Sequence, residues 1–421
     1  MTLGLLLIIT SLVSACVSIS RRPAPPLLID RVAPVGFRPN IRFLSIDGSY
    51  VLTHLSANMR AADAAAEAGT LRILALSGGG AAGAFGAGVL YGLQEAGRRP
   101  VFQVVTGVSA GALLAPFAFL GPGWDPELKE AFDGNREHDL LQPRFFGALF
   151  KSGLYRGRPL DDLVNQFCTQ RLVAAVAARA REGGLLLVAT TDLDKEQSVI
   201  WNMGAIAERG GIAARRLFCK VLVASASIPG IFPPVLMHVT GDGRSYDEMQ
   251  VDGGTTLPFF IASEIAEALQ LHFSAFRGAH VYVIVNGRLN AFSRTTPMRP
   301  IAVLLRSVAA ASMSASRRAL EESAEFAWRN HMQFRFTYLP ATFRYGGSLD
   351  FKFTNMNSLF EFGRECAQSS RIWSTLLQAI VMGQRAAVAQ PKPSSECPGS
   401  AVAVPPGSGR AEARLILAAS R

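Results

Sequence analysis

Two units that each read as strand, turn and helix follow one another between residues 71 and 111. In the first, the apolar run 71–76 meets a glycine cluster at 78–83, and in the second the run 101–105 meets the pentapeptide 107–111. An apolar run that ends at glycine is typical of a buried strand followed by a tight turn. Strands that alternate with helices form a mostly parallel sheet covered on both faces. This stretch therefore predicts an α/β fold.

The second turn reads Gly107-Val-Ser109-Ala110-Gly111 and matches G-x-S-x-G. In α/β enzymes this sharp turn between a strand and a helix lifts a serine hydroxyl above the sheet. The glycines permit the tight backbone, and the helix that begins at Ala110 directs unpaired N–H groups toward the serine. The pattern predicts that Ser109 is a nucleophile.

The first turn contains Gly78, Gly79, Gly80 and Gly83. Backbone N–H groups at the start of a helix bind anions well, and such groups stabilise the oxyanion of a tetrahedral intermediate. We expect Gly78, Gly79 and Gly80, together with Ala110, to form an oxyanion hole. A nucleophile beside anion donors indicates acyl transfer.

The same glycines also fit the dinucleotide-binding pattern G-x-G-x-x-G. That function needs an acidic residue at the end of the next strand, where it binds a ribose. The next strand instead closes on Thr106 and Gly107, and the nearest carboxylate, Glu95, falls inside the intervening helix. The sequence therefore disfavours a nucleotide site.

A third motif, Asp252-Gly253-Gly254, follows another strand-like run. In this order the three motifs resemble those of the patatin-like phospholipase family, and the segments 188–193 and 224–234 agree with it. The similarity is clear over about residues 70–290, where all three motifs lie, and is weaker from there to about residue 390.

The resemblance implies a three-layer α/β/α fold with a mostly parallel central sheet. It also implies a lipid acyl hydrolase of the phospholipase A type that needs no metal or other cofactor and uses a Ser-Asp dyad, here Ser109 and Asp252. Gly253 and Gly254 would let the aspartate loop approach the serine closely. A carboxylate is a weak base at neutral pH unless burial raises its pKa, so we expect Asp252 to be poorly solvated.

Two alternatives stay open from the sequence. A Ser-Asp-His triad in the chain order of the α/β-hydrolases would draw on His272, His280 or His331. A protein without catalysis could instead bind lipid or a partner protein at the cell envelope.

Basic residues exceed acidic ones by 42 to 32, which gives a formal net charge of +10. Such a charge suits nucleic acid or an anionic lipid surface, and we expect lipid because no nucleic-acid-binding module is recognisable. The segment 143–158 mixes aromatics with Arg144, Lys151, Arg156 and Arg158. It is a candidate lid or membrane-contact patch, although such segments more often pack their aromatics inward.

The apolar run 3–13 is too short to span a bilayer and is typical of a signal-peptide core. It ends in Val13-Ser14-Ala15-Cys16, which resembles a bacterial lipobox and implies a lipidated Cys16 on a membrane-anchored envelope protein. Residues 1–9 lack Lys and Arg, which departs from the usual pattern. An ordinary cleaved signal peptide is the alternative.

The chain divides into a signal peptide, a Pro-rich tether, a hydrolase domain and a flexible tail, at residues 1–15, 16–49, 50–390 and 391–421. The patterns predict strands at 71–76, 101–105, 185–191, 197–202, 235–239, 245–251 and 279–285. They predict helices at 50–68, 82–97, 110–120, 126–133, 159–182, 212–225, 258–269, 300–328 and 357–389.

Four cysteines remain if Cys16 is lipidated, and an even number in an exported protein allows disulfides in three pairings. Cys168 and Cys219 lie in apolar helical contexts, where buried free thiols are expected. Cys366 and Cys397 are the pair that we expect to be joined.

Overall fold

The computed structural model of the protein describes residues 21–25, 28, 31–44, 70–134, 158–261, 278–290, 295–375 and 396–400. Its strands are β1 (Ala33–Pro34), β2 (Arg42–Leu44), β3 (Arg72–Leu76), β4 (Val104–Val108), β5 (Leu185–Asp192), β6 (Gln197–Asn202), β7 (Val235–Gly241), β8 (Arg244–Asp252), β9 (His280–Ile284), β10 (Gln333–Thr337) and β11 (Ser374–Thr375). Its α-helices are α1 (Gly83–Glu95), α2 (Ala110–Leu120), α3 (Asp125–Phe132), α4 (Arg158–Phe167), α5 (Gln170–Arg181), α6 (Met203–Glu208), α7 (Gly211–Ser225), α8 (Pro300–Arg329) and α9 (Phe353–Gln368).

All described strands belong to one mixed sheet with the order β1-β7-β8-β5-β4-β3-β9-β10-β11, while β6 pairs with β5 and with β2. The central run β5-β4-β3-β9-β10 is parallel throughout. The flanking strands pair antiparallel. The parallel centre confirms the predicted sheet, whereas the antiparallel edges were not predicted.

The sheet lies between two hydrophobic layers, because successive side chains of a strand point to opposite faces. Leu74 and Leu76 of β3 pack in the cluster that contains α1, α2, α7 and α9. Ile73 and Ala75 pack on the other face against the second half of α8 and the buried segment Phe259 to Ile261. The three-layer α/β/α prediction is confirmed.

The predicted tether is wrong for residues 31–44. β1 pairs with β7 and β2 pairs with β6, so this stretch is part of the sheet. The guanidinium of Arg42 is buried in an ion pair with Glu248, with Nη2 2.8 Å from Oε1. The proline content suggested an extended chain, but Ile41 and Phe43 are buried, and burial of apolar side chains outweighs that tendency.

Several element boundaries differ from the prediction. The second strand lies at Val104–Val108 instead of 101–105. The single helix at 159–182 is two helices, because Thr169 caps the second by accepting a hydrogen bond from the Leu172 N–H. Residues 258–261 are not helical, and 262–269 lie outside the described residues. The last predicted helix ends at Gln368.

Two disulfides join Cys168 to Cys219 and Cys366 to Cys397. The second was predicted. The expectation of free thiols at Cys168 and Cys219 is wrong, because tertiary packing brings the end of α4 beside α7, with the two Cα atoms 5.8 Å apart. The disulfide at Cys397 also attaches residues 396–400 to α9, so the predicted flexible tail is wrong for that stretch.

No helix in the described ranges is long and apolar enough to cross a bilayer. The predicted signal peptide with Cys16, the helix at 50–68 and the patch residues Arg144, Lys151 and Arg156 lie outside the described residues, as do 376–395 and 401–421.

Candidate active site

The turn between β4 and α2 holds Ser109 in a backbone conformation that few side chains adopt, with φ of 56° and ψ of −125°. This left-handed region costs a non-glycine residue about 1–3 kcal/mol. The turn is closely packed and needs glycine at position 111, since a Cβ atom there would lie 2.3 Å from the carbonyl oxygen of Leu76. Ser109 is buried, so its hydroxyl is held in one place.

The sheet register brings Asp252 to this turn. Val108, which precedes Ser109, pairs with Ala189 of β5, and the next residue of β5, Thr190, pairs with Asp252 at the end of β8. The hydroxyl of Ser109 donates a hydrogen bond to Oδ2 of Asp252 at 2.5 Å. Two turns separated by 143 residues therefore meet through a single strand between them.

Asp252 is buried, and burial raises the pKa of its carboxyl from 3.8 to about 7. Hydrogen bonds from the Ser109 hydroxyl and from the Gly254 N–H lower that pKa, but by less than burial raises it. The Gly254 N–H donates to Oδ1 at 2.7 Å, so each carboxyl oxygen has one donor and Oδ2 faces the serine. A carboxyl group with this pKa can accept a proton near neutral pH.

Ser225, at the end of α7, joins the two turns to the sheet. Its hydroxyl accepts a hydrogen bond from the Ser109 N–H at 2.9 Å and donates one to the Ala189 carbonyl at 2.7 Å. Two residues later, the carbonyl of Ser227 accepts the N–H of Asp252 at 3.0 Å. Sequence reasoning did not single out Ser225, although it lies in the segment 224–234 that carried part of the resemblance.

Three of the four predicted oxyanion donors have free amides. Among the described residues, the N–H groups of Gly79, Gly80 and Ala110 donate no hydrogen bond. The N–H of Gly78 instead donates to the carbonyl of Pro258 at 3.2 Å, so Gly78 is not available as a donor and that part of the prediction is wrong.

Asn286, after β9, supports the glycine loop from behind. Its N–H donates to the Ser77 hydroxyl at 2.8 Å and its Nδ2 to the Ser77 carbonyl at 2.7 Å. The Ser77 hydroxyl donates in turn to the carbonyl of Gly78. A Cβ atom on Gly79 would lie 1.9 Å from the Asn286 carbonyl oxygen, so this position needs glycine. A lone asparagine at a strand end gave no signal in the sequence.

A cavity of about 80 Å³ opens beside Ser109. This is room for several water-sized groups. Apart from Ser109 and Gly80, its wall is formed by Cys168 and by apolar or small residues of six helices and the loops beside them. Those on α2, α3, α4, α7 and α9 include Leu113, Phe117, Phe132, Leu163, Phe167, Leu222 and Met356, and Phe232 follows α7. Its chemistry suits a hydrocarbon chain, whose burial is favourable by about 0.8 kcal/mol per CH₂.

The family model for patatin-like phospholipases matches residues 74–263. That range contains all three motifs, the Ser109–Asp252 hydrogen bond and the parallel strands β3, β4 and β5. This chain contains a patatin-like phospholipase domain.

Among the solved structures, the chain is similar to VipD from Legionella pneumophila, with 14% identity over 73% of this chain and 68% of that chain and a TM-score of 0.37. No curated protein matches the chain in sequence.

Two of the three histidines considered for a triad lie far from Ser109. His280 begins β9, and His331 precedes the start of β10, so both are at the amino edge of the parallel strands. Ser109 follows the carboxyl end of β4, and a five-residue strand is about 17 Å long. His272 lies outside the described residues.

The described part of the chain has no group of three or more His, Cys, Asp or Glu that could hold a metal ion. Glu95, the carboxylate weighed for a ribose, ends α1 and pairs with Arg364 of α9, with its Oε2 2.6 Å from Nε. Glu95 is therefore held in an ion pair at the end of α1 that is remote from the glycine turn.

The raised pKa of Asp252 predicts that the substitution Asp252→Asn stabilises the protein increasingly as pH rises. Between 3.8 and about 7 the native carboxyl holds a proton that the unfolded chain has lost, so the stability of the wild type falls as pH rises through this window. Across the whole window the free energy of unfolding of the wild type falls by about 4 kcal/mol. Asparagine does not ionise, so the free energy of unfolding in urea should favour the variant more at about pH 8 than at about pH 4.

Asp242→Asn is the matched control, since Asp242 also precedes a glycine but is exposed in the turn between β7 and β8. This control removes an exposed carboxylate and so measures the effect of the charge change without that of burial. A stability difference between Asp252→Asn and the wild type that does not change with pH would contradict a raised pKa.

Proposed function

We propose that this chain hydrolyses acyl esters of phospholipids or related lipids, with Ser109 as nucleophile and Asp252 as base. The patatin-like phospholipase domain supports lipid ester hydrolysis in general. The observation that carries the mechanism is the buried hydrogen bond of 2.5 Å between the Ser109 hydroxyl and Asp252 Oδ2. A serine hydroxyl is a weak nucleophile unless a base takes its proton, and His280 and His331 lie at the other edge of the parallel strands.

In the proposed first step, Oγ of Ser109 attacks the ester carbonyl carbon while Oδ2 of Asp252 takes the hydroxyl proton. The negative charge that develops on the carbonyl oxygen would be bound by the free amides of Gly79, Gly80 and Ala110. Each such donor contributes about 10²–10³-fold in rate in comparable sites. The tetrahedral intermediate collapses with cleavage of the ester C–O bond, and the protonated Asp252 gives its proton to the departing alcohol.

The second step would reverse these roles for water. Asp252, again ionised, takes a proton from a water molecule that attacks the acyl-serine. The intermediate collapses, Ser109 leaves and regains its proton from Asp252, and a fatty acid is released. A pKa of about 7 suits a group that must both accept and return a proton near neutral pH.

The first test combines labelling with kinetics. We expect a fluorophosphonate probe to label the wild type but not Ser109→Ala. Lipid hydrolysis should fall by about 10³-fold or more in both Ser109→Ala and Asp252→Asn, because either change removes proton transfer to a positioned base. The matched controls are Ser245→Ala and Asp242→Asn, whose side chains are exposed and far along β8 and its turn.

Each failure has its own meaning. Near-full turnover by Asp252→Asn would contradict the dyad and leave Ser109 as a nucleophile with another base. A wild type that neither labels nor hydrolyses any lipid or short-chain ester would contradict hydrolysis and favour a lipid- or partner-binding role.

The cavity is proposed to hold the acyl chain of the substrate. Ala131 of α3 lines it and is half-buried, so Ala131→Leu should shorten the accepted chain. Each CH₂ group of the acyl chain that the leucine side chain excludes from the cavity should lower kcat/KM about fourfold. Octanoate esters should therefore lose far more than acetate esters.

Ala205→Leu is the matched control, since Ala205 is also half-buried on a helix but does not line the cavity. Equal loss on octanoate and acetate by Ala131→Leu, or the same chain-length shift in Ala205→Leu, would contradict an acyl-binding role for the cavity.

We further propose that Cys16 anchors the mature chain to a membrane of the bacterial envelope. The support is the sequence alone, with small residues before Cys16 and the apolar run 3–13. In a bacterial host, the wild type should incorporate an alkyne-labelled fatty acid and partition into detergent, and Cys16→Ser should do neither. Equal labelling of both proteins would contradict this anchor.

A further inference from the structure

Helix α8 is longer than the sheet that it covers. Its thirty residues span about 45 Å. The neighbouring strands β9 and β10 have five residues each, or about 17 Å. Among the α8 residues whose burial the structure describes, the buried ones lie between Ser316 and Ala327, a stretch about as long as those strands. The first half of α8 therefore extends beyond the sheet.

The chain direction shows at which edge it extends. α8 connects the parallel neighbours β9 and β10, and Arg329, its last residue, is followed closely by Gln333, the first residue of β10. The carboxyl end of α8 is thus at the amino edge of the strands, and its first half passes the carboxyl edge, where Ser109 lies. Leu305 in this half packs against the same hydrophobic cluster as the cavity residues Phe117 and Phe132.

The extending part exposes apolar side chains. Of the ten large hydrophobic side chains that are exposed in the described ranges, Met298, Val303, Leu304 and Val308 fall within eleven residues of one another. We call these four residues the projecting face. Single exposed hydrophobic residues are ordinary, but a group of them indicates a binding surface.

The sequence around the projecting face carries charge of one sign. Between Glu267 and Glu321 the chain has seven arginines and neither Asp nor Glu. Arg299, next to Met298, is exposed. An exposed group of apolar residues with a basic neighbour suits the interface of an anionic membrane, where the apolar groups enter the lipid and the cation meets the headgroups.

We propose that the projecting face inserts into the surface of an anionic phospholipid bilayer and so brings the candidate site to its substrate. The choice of lipid over a protein partner rests on the proposed function together with the basic charge. Leu304 and Val308 enter the acyl boundary in this arrangement, and Arg299 meets the headgroups.

The test measures sedimentation with vesicles of phosphatidylglycerol and phosphatidylcholine in equal parts. The full chain carries Cys16→Ser, which removes any lipid anchor, and Ser109→Ala, which prevents hydrolysis. In this background Leu304→Glu should weaken binding about tenfold or more, because a leucine side chain contributes about that much when it enters an apolar phase. Ile212→Glu is the matched control, because Ile212 is 75% exposed and begins α7 at the opposite edge of the sheet. It should bind like the parent.

Equal binding by Leu304→Glu and Ile212→Glu would overturn the proposal. So would a wild type that is a dimer in ultracentrifugation and becomes a monomer with Leu304→Glu, since the face would then bind a second copy. The proposal would also be overturned if Leu304→Glu, but not Ile212→Glu, lowered the melting temperature, because another segment of the chain would then cover the face.

With Ser109 intact, turnover of a soluble acetate ester should be unchanged by Leu304→Glu, while hydrolysis of anionic vesicles falls with binding. Vesicle binding without any esterase activity would leave this proposal standing and contradict the proposed function. Esterase activity without vesicle binding would do the reverse.

Discussion

The hydrogen bond between Ser109 and Asp252 is the contact on which the candidate site depends. It exists because β5 lies between β4 and β8 and pairs with both, so that the residue before the serine and the aspartate face consecutive positions of one strand. A shift of either register by one residue would turn a side chain to the other face of the sheet. The parallel centre and the antiparallel edge are thus both needed for the site.

Two features of the site lower the stability of the folded protein. Ser109 has a backbone conformation that disfavours a side chain, and Asp252 is deprived of water, which raises its pKa to about 7. The neighbouring structure compensates with hydrogen bonds from Ser225 and Gly254. The disulfide at Cys219 holds α7, which carries Ser225, to the wall of the cavity. Strain and desolvation of this kind are common where chemistry occurs.

The features that bear on function lie at one edge of the sheet, at the carboxyl ends of its parallel strands. The glycine turn, Ser109 and Asn286 all follow carboxyl ends of parallel strands, which is where sites of open α/β sheets generally form. The first half of α8 extends past that same edge with exposed apolar side chains, and the exposed Arg299 directly precedes it. A soluble substrate diffuses to the site and needs no such surface, whereas a membrane lipid is reached only when the protein binds at the bilayer.

The sequence alone determined the local chemistry: a serine between two glycines after a strand, an aspartate before two glycines, and the alternation that predicts a parallel centre. These features depend on short-range rules of turns and strands. Only the tertiary structure decided that the Gly78 N–H donates to the Pro258 carbonyl and that Ser225 and Asn286 support the turns. The same holds for the disulfide between Cys168 and Cys219 and for the strands within residues 31–44. Each of these contacts joins residues far apart in the chain, and local pattern carries no information about such distances.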